Sequence, residues 1–172
     1  MPITRLNHAV LYVRDVNRSV AFYTEVLGFR RLDMTPPGFT GAAFLQAAGS
    51  DNDHDLGLFE IGPDAEASEA GRRTVGLYHL AWEVDTLAEL AAIQSKLLAA
   101  GALAGTSDHS TTKSLYGKDP DGIEFEIVWL VPAHQLTAEI LEGRKTIRPL
   151  DLVAEEERYG VLTPGGASSR FS

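Results

Sequence analysis

The chain repeats one pattern at an offset of 71 residues. Leu6–Val13 reads LNHAVLYV and Leu77–Val84 reads LYHLAWEV, so each segment is apolar with a histidine at its third position. Apolar residues at helical spacing follow each segment, and three short β-like runs follow each predicted helix. Each half therefore predicts a βαβββ module, and the two tandem copies predict an α+β fold.

Both predicted helices carry signals for where they begin and end. In the first module, the apolar stripe that starts at Val16 stops at Gly28. In the second, Thr86 and Glu89 form a capping-box pattern, and the stripe stops at Gly101. These signals place the two helices at matching points of the repeat.

The repeat also sets the domain boundaries. Module one covers about residues 3–62 and module two about residues 75–131, so residues 1–131 are expected to form one domain. Between the modules, Pro63–Thr74 is polar and rich in Ala and Glu, which predicts a linker.

The C-terminal extension, residues 132–172, lies outside the repeat. Its pattern predicts one short helix around Ala133–Leu141, followed by an irregular tail. We expect the extension to dock on the domain or to contact another subunit, with its last residues, Pro164–Ser172, loosely held.

Charge and composition limit the classes of partner that such a fold can bind. The formal charge of −9 argues against nucleic acid or an anionic membrane as the main partner. No segment approaches the roughly 20 apolar residues of a membrane span, and the N-terminus lacks the pattern of a signal peptide, so we expect a cytoplasmic protein. Because the chain has no cysteine, any metal must be held by nitrogen and oxygen ligands.

Strand alternation separates the histidines from their neighbours. His79 points away from the apolar face that we expect to pack on the helix, and that face is formed by Tyr78, Leu80, Trp82 and Val84. Glu126 points away from Phe125 and Ile127 in the same manner. Two histidines and a carboxylate can therefore lie on the helix-free side of a sheet.

Two interpretations of His8 and His79 remain open on the residues alone. A single histidine in a strand is more often a core residue with a satisfied hydrogen bond. Two histidines at matching positions of a repeat, together with an inward Glu126, favour a metal site. A buried carboxylate without a partner is costly, and a divalent cation supplies that partner.

The segments NHAVLYVRDVNRSVAFYTEVLGF, YHLAWEVD and DPDGIEFEI resemble the vicinal oxygen chelate superfamily over about Ile3–Val131. This group includes glyoxalases, epimerases, antibiotic-resistance proteins and extradiol ring-cleaving dioxygenases. The resemblance implies two modules forming a curved mixed sheet around a metal cleft, and a homodimer. By position it implies three metal ligands, which are His8, His79 and Glu126.

The remaining histidines resemble the extradiol dioxygenase branch. His54, in an Asp-His pair before the last strand of module one, matches a general acid/base, and His109 and Tyr116 match residues that hydrogen-bond substrate or oxygen. The stretch between His109 and Tyr116 is shorter than in the larger dioxygenases, and His134 matches no site position. The resemblance implies Fe(II), or else Mn(II) or another divalent metal, acting on a small aromatic diol and O2.

Two other functions stay open. A glyoxalase- or epimerase-like lyase or isomerase needs a fourth protein ligand, and Glu60 could supply it if FEI at 59–61 aligns with FEI at 125–127. An alignment through His54 instead places Gly57 at that position, and we prefer it because it also explains His54. The third possibility is a non-catalytic small-molecule binder, such as an antibiotic-binding protein.

Overall fold

The structure is a computed structural model that describes residues 2–35 and 37–166. The chain divides into two compact units. The first runs to Ser68 and includes Asp119–Gly122, and the second comprises Glu69–Lys118 and the chain from Ile123 onward. The predicted looseness of the C-terminus falls largely on residues 167–172, which lie outside the described residues.

The first unit contains the predicted βαβββ module. Its elements are β1 (Ala9–Val13), α1 (Val16–Glu25), β2 (Arg30–Leu32), β3 (Ala42–Gln46) and β4 (Leu56–Glu60). They form a four-stranded mixed sheet in the order β1-β4-β3-β2, in which β1 and β4 are parallel and the other pairs are antiparallel.

The core of the first unit follows from strand alternation. On β1, Leu11 and Val13 are buried, whereas Val10 and Tyr12 on the opposite face are exposed. The buried stripe of α1 includes Val16, Val20 and Tyr23. Burial of each such aliphatic side chain contributes about 1.5–3 kcal/mol. Asp15 caps the helix by accepting hydrogen bonds from two backbone N–H groups of the first turn.

The second unit repeats this module and forms its own sheet. Its elements are β5 (His79–Glu83), α2 (Leu87–Ala99), β6 (Leu103–Asp108), β7 (Thr112–Lys118) and β8 (Glu124–Leu130). The order is β5-β8-β7-β6, again with one parallel pair, β5 with β8. The predicted capping box at Thr86 and Glu89 is present. In the described ranges 2–35 and 37–166, no helix is long and apolar enough to cross a membrane.

The apolar faces of the second sheet agree with the prediction on β8 and depart from it on β5. Phe125, Ile127 and Trp129 are buried and α2 packs against β8, while Glu126 on the other face keeps some exposure. The prediction that Tyr78 packs on the helix is wrong, because its side chain is 70% exposed. Tyr78 precedes the first paired residue of β5 and is therefore not held in the sheet.

The linker and the C-terminal extension were predicted with unequal success. Pro63–Thr74 has no helix and no regular strand, as expected. The predicted helix in the extension is a 3₁₀ turn at Ala133–Gln135 followed by α3 (Ala138–Gly143). The irregular tail is a wrong prediction, since α4 (Leu152–Tyr159) lies within it.

The extension docks on the second unit. The Trp129 indole donates a hydrogen bond to the Thr163 carbonyl at 3.3 Å, and the Trp129 and Tyr159 rings are 5.4 Å apart. Tyr159 is buried in this contact. Docking of α4 thus buries Tyr159, which a helix of this length could not bury by itself.

Candidate active site

In the second unit the fold brings His79 and Glu126 together. They lie on the parallel neighbours β5 and β8, where Ala81 is the register partner of Glu126. His79 Nε2 is 3.2 Å from Glu126 Oε2, and both side chains are largely buried. His79 Nδ1 is buried and has no hydrogen-bond partner among the described residues. The two residues therefore form an imidazole–carboxylate pair in a partly desolvated position.

A chain of hydroxyl and imidazole groups lies beside this pair. Tyr116 on β7 is the register partner of Glu126, and its ring is 5.9 Å from the His79 ring. His109 Nε2 lies 3.0 Å from the Tyr116 hydroxyl and 2.8 Å from Ser107 Oγ. Ser107 also donates to the Tyr116 hydroxyl at 3.4 Å. When the proton of neutral His109 is on Nδ1, Nε2 accepts from a hydroxyl and can relay a proton.

The electrostatic surroundings of the pair are acidic. The carboxylate of Glu124 raises the pKa of Tyr78, first by its charge and then by a hydrogen bond, and the charge of Glu126 acts in the same direction. A negative potential of this kind favours a bound cation.

The first unit places His8 and His54 side by side. His8 directly precedes β1, and its ring centroid is 4.3 Å from that of His54. His54 Nδ1 lies 3.2 Å from Asp53 Oδ2, and Phe44 packs edge-on against the His54 ring at 5.2 Å. The predicted acid/base residue thus has a carboxylate on one ring nitrogen and an aromatic wall.

The loop that carries His54 is held by Asp55, a residue that sequence reasoning missed. Asp55 is buried and accepts hydrogen bonds from Ala47 N, Ser50 Oγ and Asn52 Nδ2, at 2.7 to 2.8 Å. An Asp at a strand start, after a polar run, was the available signal. Ser107 was also missed, because a serine in the run LAGTSD has no distinguishing pattern.

The strand registers show whether Gly57 or Glu60 is the counterpart of Glu126 in module one. Two residues after His79, Ala81 pairs with Glu126, and two residues after His8, Val10 pairs with Gly57. Gly57 therefore occupies the position in module one that Glu126 occupies in module two. Glu60 is used elsewhere, since its Oε2 accepts a hydrogen bond from the Val16 N–H at the start of α1. The preferred alignment through His54 agrees with this register.

The donor set fits a divalent metal by its chemistry. Imidazole and carboxylate are ligands of iron, manganese and other divalent ions, and the buried His79 Nδ1 lacks a protein partner. No group of three or more His, Asp or Glu side chains that could hold a metal was found within residues 2–35 and 37–166. His8 belongs to the first unit and the other two predicted ligands belong to the second, so the three-ligand set remains a prediction.

Comparison with known proteins defines the family. The model of the Glyoxalase/Bleomycin resistance protein/Dioxygenase superfamily matches residues 5–127. The chain belongs to this superfamily. Most members of the superfamily are enzymes, and divalent metals are bound within it. The βαβββ modules predicted from the repeat are the fold of this family.

The chain is also similar to a relative that is named for a specific reaction. A catechol-2,3-dioxygenase of Bacillus subtilis is 33% identical over 124 residues, which is 72% of this chain and 41% of the relative. The chain thus spans about two-fifths of the length of that curated relative.

Solved structures of the superfamily share the fold. A glyoxylase/bleomycin resistance protein/dioxygenase domain from Frankia sp. EAN1pec has a TM-score of 0.59 and 26% identity, covering 74% of this chain and 98% of its own. A variant of the fosfomycin resistance protein FosX of Listeria monocytogenes, complexed with Mn(II) and 1S,2S-dihydroxypropylphosphonic acid, has a TM-score of 0.54 and 20% identity. That match covers 73% of this chain and 92% of FosX, and it supports the fold alone.

Proposed function

We propose that the chain is a metal-dependent extradiol-type dioxygenase that cleaves a small aromatic vicinal diol with O2. The observation that carries the proposal is the His79–Glu126 pair at 3.2 Å, with the Tyr116–His109 hydrogen bond beside it. The proposed ligands are His79 and Glu126, with His8 added from the family resemblance. The proposed metal is Fe(II), with Mn(II) or another divalent ion as the alternative.

Three protein ligands suit this chemistry better than four. Two histidines and one carboxylate on one face of an iron ion leave positions open for a chelating diol and for dioxygen. When bound, Fe(II) supplies a route for electrons from the diol to oxygen. Gly57, at the register position where a fourth carboxylate would lie, supports the three-ligand arrangement.

The roles that we propose for the remaining residues come from the family resemblance and are supported by their contacts. His54 accepts a proton from a diol hydroxyl as substrate binds and returns it to the product, and Asp53 orients the ring through Nδ1. Tyr116 donates a hydrogen bond to a substrate oxygen, and His109 holds the tyrosine in place and exchanges its proton. Ser107 completes this chain by a hydrogen bond to the tyrosine oxygen.

The test is anaerobic reconstitution with Fe(II), followed by oxygen uptake with a panel of catechols. The expected result is oxygen consumption with formation of a yellow ring-cleavage product. His79→Ala should abolish turnover and metal retention, while His134→Ala, at an exposed position outside the site, should leave both unchanged. Unchanged activity in His79→Ala would overturn the ligand assignment.

Other outcomes of the same experiment would favour the alternative functions. Metal-dependent turnover in the absence of oxygen would indicate a lyase or isomerase. A protein that stays free of metal by elemental analysis but binds aromatic drugs would indicate a non-catalytic binder. Oxygen-dependent cleavage is the only result that supports the proposal.

A further inference from the structure

The C-terminal extension contacts the turn that carries His109. The family match ends at residue 127, so the extension lies outside the part of the chain that defines the superfamily. Two of its residues, Gly143 and Arg148, nevertheless lie against the turn formed by residues 108–111 in the second unit.

The first contact is made through the backbone. Asp108 N donates to the Arg148 carbonyl at 2.8 Å, and Arg148 N donates to the Asp108 carbonyl at 3.0 Å. This pair of bonds adds one residue of the extension to the end of β6 as an antiparallel bridge. His109 is the next residue along the chain, so the bridge limits the movement of its backbone.

The second contact is steric and is made at Gly143, the last residue of α3. A β-carbon added at Gly143 would lie 2.5 Å from Ser110 Oγ and 3.0 Å from Ser110 Cβ. Ser110 is buried and has a φ of 70°, a conformation that a non-glycine residue adopts only when its surroundings hold it. The close approach of α3 therefore depends on the absence of a side chain at position 143.

A chain of charged groups, all buried or nearly so except the half-exposed Arg148, ties these contacts to α4. Asp108 accepts from Lys113 Nζ at 2.6 Å and from Arg148 at 3.1 Å, and Lys113 also pairs with Glu155 at 2.9 Å. The Lys113 side chain is 1% exposed, so both of its carboxylate partners are needed to offset the loss of its hydration. Asp108 Oδ1 also accepts from Ser110 N at 2.7 Å, which closes the turn around His109.

We infer that the C-terminal extension positions His109 for its contact with Tyr116, with Gly143, Arg148 and Glu155 as positioning residues. The role of His109 in turnover rests on the proposed function, whereas its positioning does not. Without the extension, the turn at residues 108–111 would lose the bridge, the packing of α3 and half of the charge chain. The imidazole would then no longer be held at hydrogen-bond distance from the tyrosine.

The principal test is Gly143→Ala, because alanine favours a helix and should not weaken α3. The new methyl group displaces Ser110, so we expect kcat to fall about tenfold with KM changed less than about twofold. In the metal-free protein, the nuclear Overhauser effect between the His109 and Tyr116 rings should weaken. Ser110→Gly removes the clashing atoms and fits the positive φ, so the double variant should recover both signals.

A second pair of variants tests the charge chain. Glu155→Gln should weaken the same ring-to-ring signal, because it removes one partner of Lys113. Glu157→Gln on the exposed face of the same helix is the matched control and should leave it unchanged.

The outcomes separate this inference from the proposed function. A ring-to-ring signal that is unchanged in both Gly143→Ala and Glu155→Gln would overturn the inference. A loss of kcat that Ser110→Gly does not restore would also contradict it. If the unaltered protein cleaves no catechol, the proposed function fails, and the ring-to-ring signal alone decides whether the extension positions His109.

Discussion

The two modules share a topology and differ at a few register positions. In module two, Glu126 pairs with Ala81 on one side and with Tyr116 on the other. In module one, the corresponding Gly57 pairs with Val10 and with Phe44. The same strand positions therefore carry a carboxylate and a phenol in one module, and a hydrogen atom and a phenyl ring in the other.

This difference shows how a repeated frame can carry different side chains at equivalent positions. The registers around Gly57 and Glu126 are the same, so the frame alone would permit ligands in either module. Module two carries the carboxylate and the hydrogen-bonded group of Ser107, His109 and Tyr116. Module one carries two histidines, one of which packs against Phe44. The first three substitutions below remove or exchange these features, and the last pair compares a carboxylate from each unit.

Removing the carboxylate of module two should have the largest effect. We expect Glu126→Gln to lower the affinity for Fe(II) by at least about a hundredfold, because an amide is a far weaker metal ligand than a carboxylate. Metal content after dialysis and oxygen uptake with catechols measure this. Glu124→Gln, two residues earlier on the same face, is the control, and equal losses in both variants would contradict the special role of Glu126.

Making position 116 resemble its counterpart Phe44 should have the next largest effect. Tyr116→Phe removes the hydroxyl that contacts His109 and Ser107, and we expect kcat to fall about a hundredfold, as for loss of a proton-transfer group. Metal content should not change, since Tyr116 is not a proposed ligand. The converse substitution, Phe44→Tyr, is the control, and a variant Tyr116→Phe with full activity would remove Tyr116 from the proposed mechanism.

Placing a carboxylate in module one should add a fourth ligand to the proposed three-ligand set. In Gly57→Glu, the new β-carbon would meet Val10 at 3.4 Å and Phe44 at 3.7 Å, which are ordinary contact distances. We expect oxygen-dependent turnover to fall about tenfold, because the added ligand occupies a position that the diol or oxygen needs. Gly57→Gln controls for side-chain size, and equal loss in both variants would indicate steric hindrance instead of ligation.

The smallest predicted effect is on the stability of the fold at low pH. We compare one carboxylate from each unit, Asp108 in the second and Asp51 in the first. Burial acts to raise the pKa of Asp108, but hydrogen bonds from Lys113 and Ser110 and the nearby cationic charges bring it below its ordinary value of 3.8. Its stabilisation is thus present above pH 3.8 and is lost as pH falls through the lower folded-state pKa. Asp108→Asn should lower the free energy of unfolding by about 1–3 kcal/mol at neutral pH. The loss should be smaller once the pH is below the folded-state pKa of Asp108.

The matched substitution in the first unit is Asp51→Asn. Asp51 pairs with Arg5 on the surface, where both side chains are more than half exposed, so solvent and salt screen the pair and we expect its loss to change stability little. Urea unfolding at a series of pH values measures both variants. A similar pH dependence for Asp51→Asn and Asp108→Asn would contradict the importance of the buried charge chain.

Much of the fold could be predicted because its signals are local. The strand that carries His79, the capping box at Thr86 and the stops at Gly28 and Gly101 each depend on residues within a few positions of one another. The first predicted strand begins later than expected, at Ala9, and leaves His8 exposed before it. Alternation likewise predicted that Glu126 and Phe125 face opposite sides. Helix α4 was missed, because its docking depends on the distant Lys113 and Trp129, which no local pattern reveals.

The sequence by itself determined the repeat, the order of elements in each module and the residue types available for a site. These follow from backbone periodicity, which every short segment carries. Only the tertiary structure decided that Gly57 and not Glu60 is the counterpart of Glu126, and that Gly143 and Arg148 contact the turn that carries His109. Such pairings depend on which strands become neighbours and in which register, and that choice is made by packing of the whole unit.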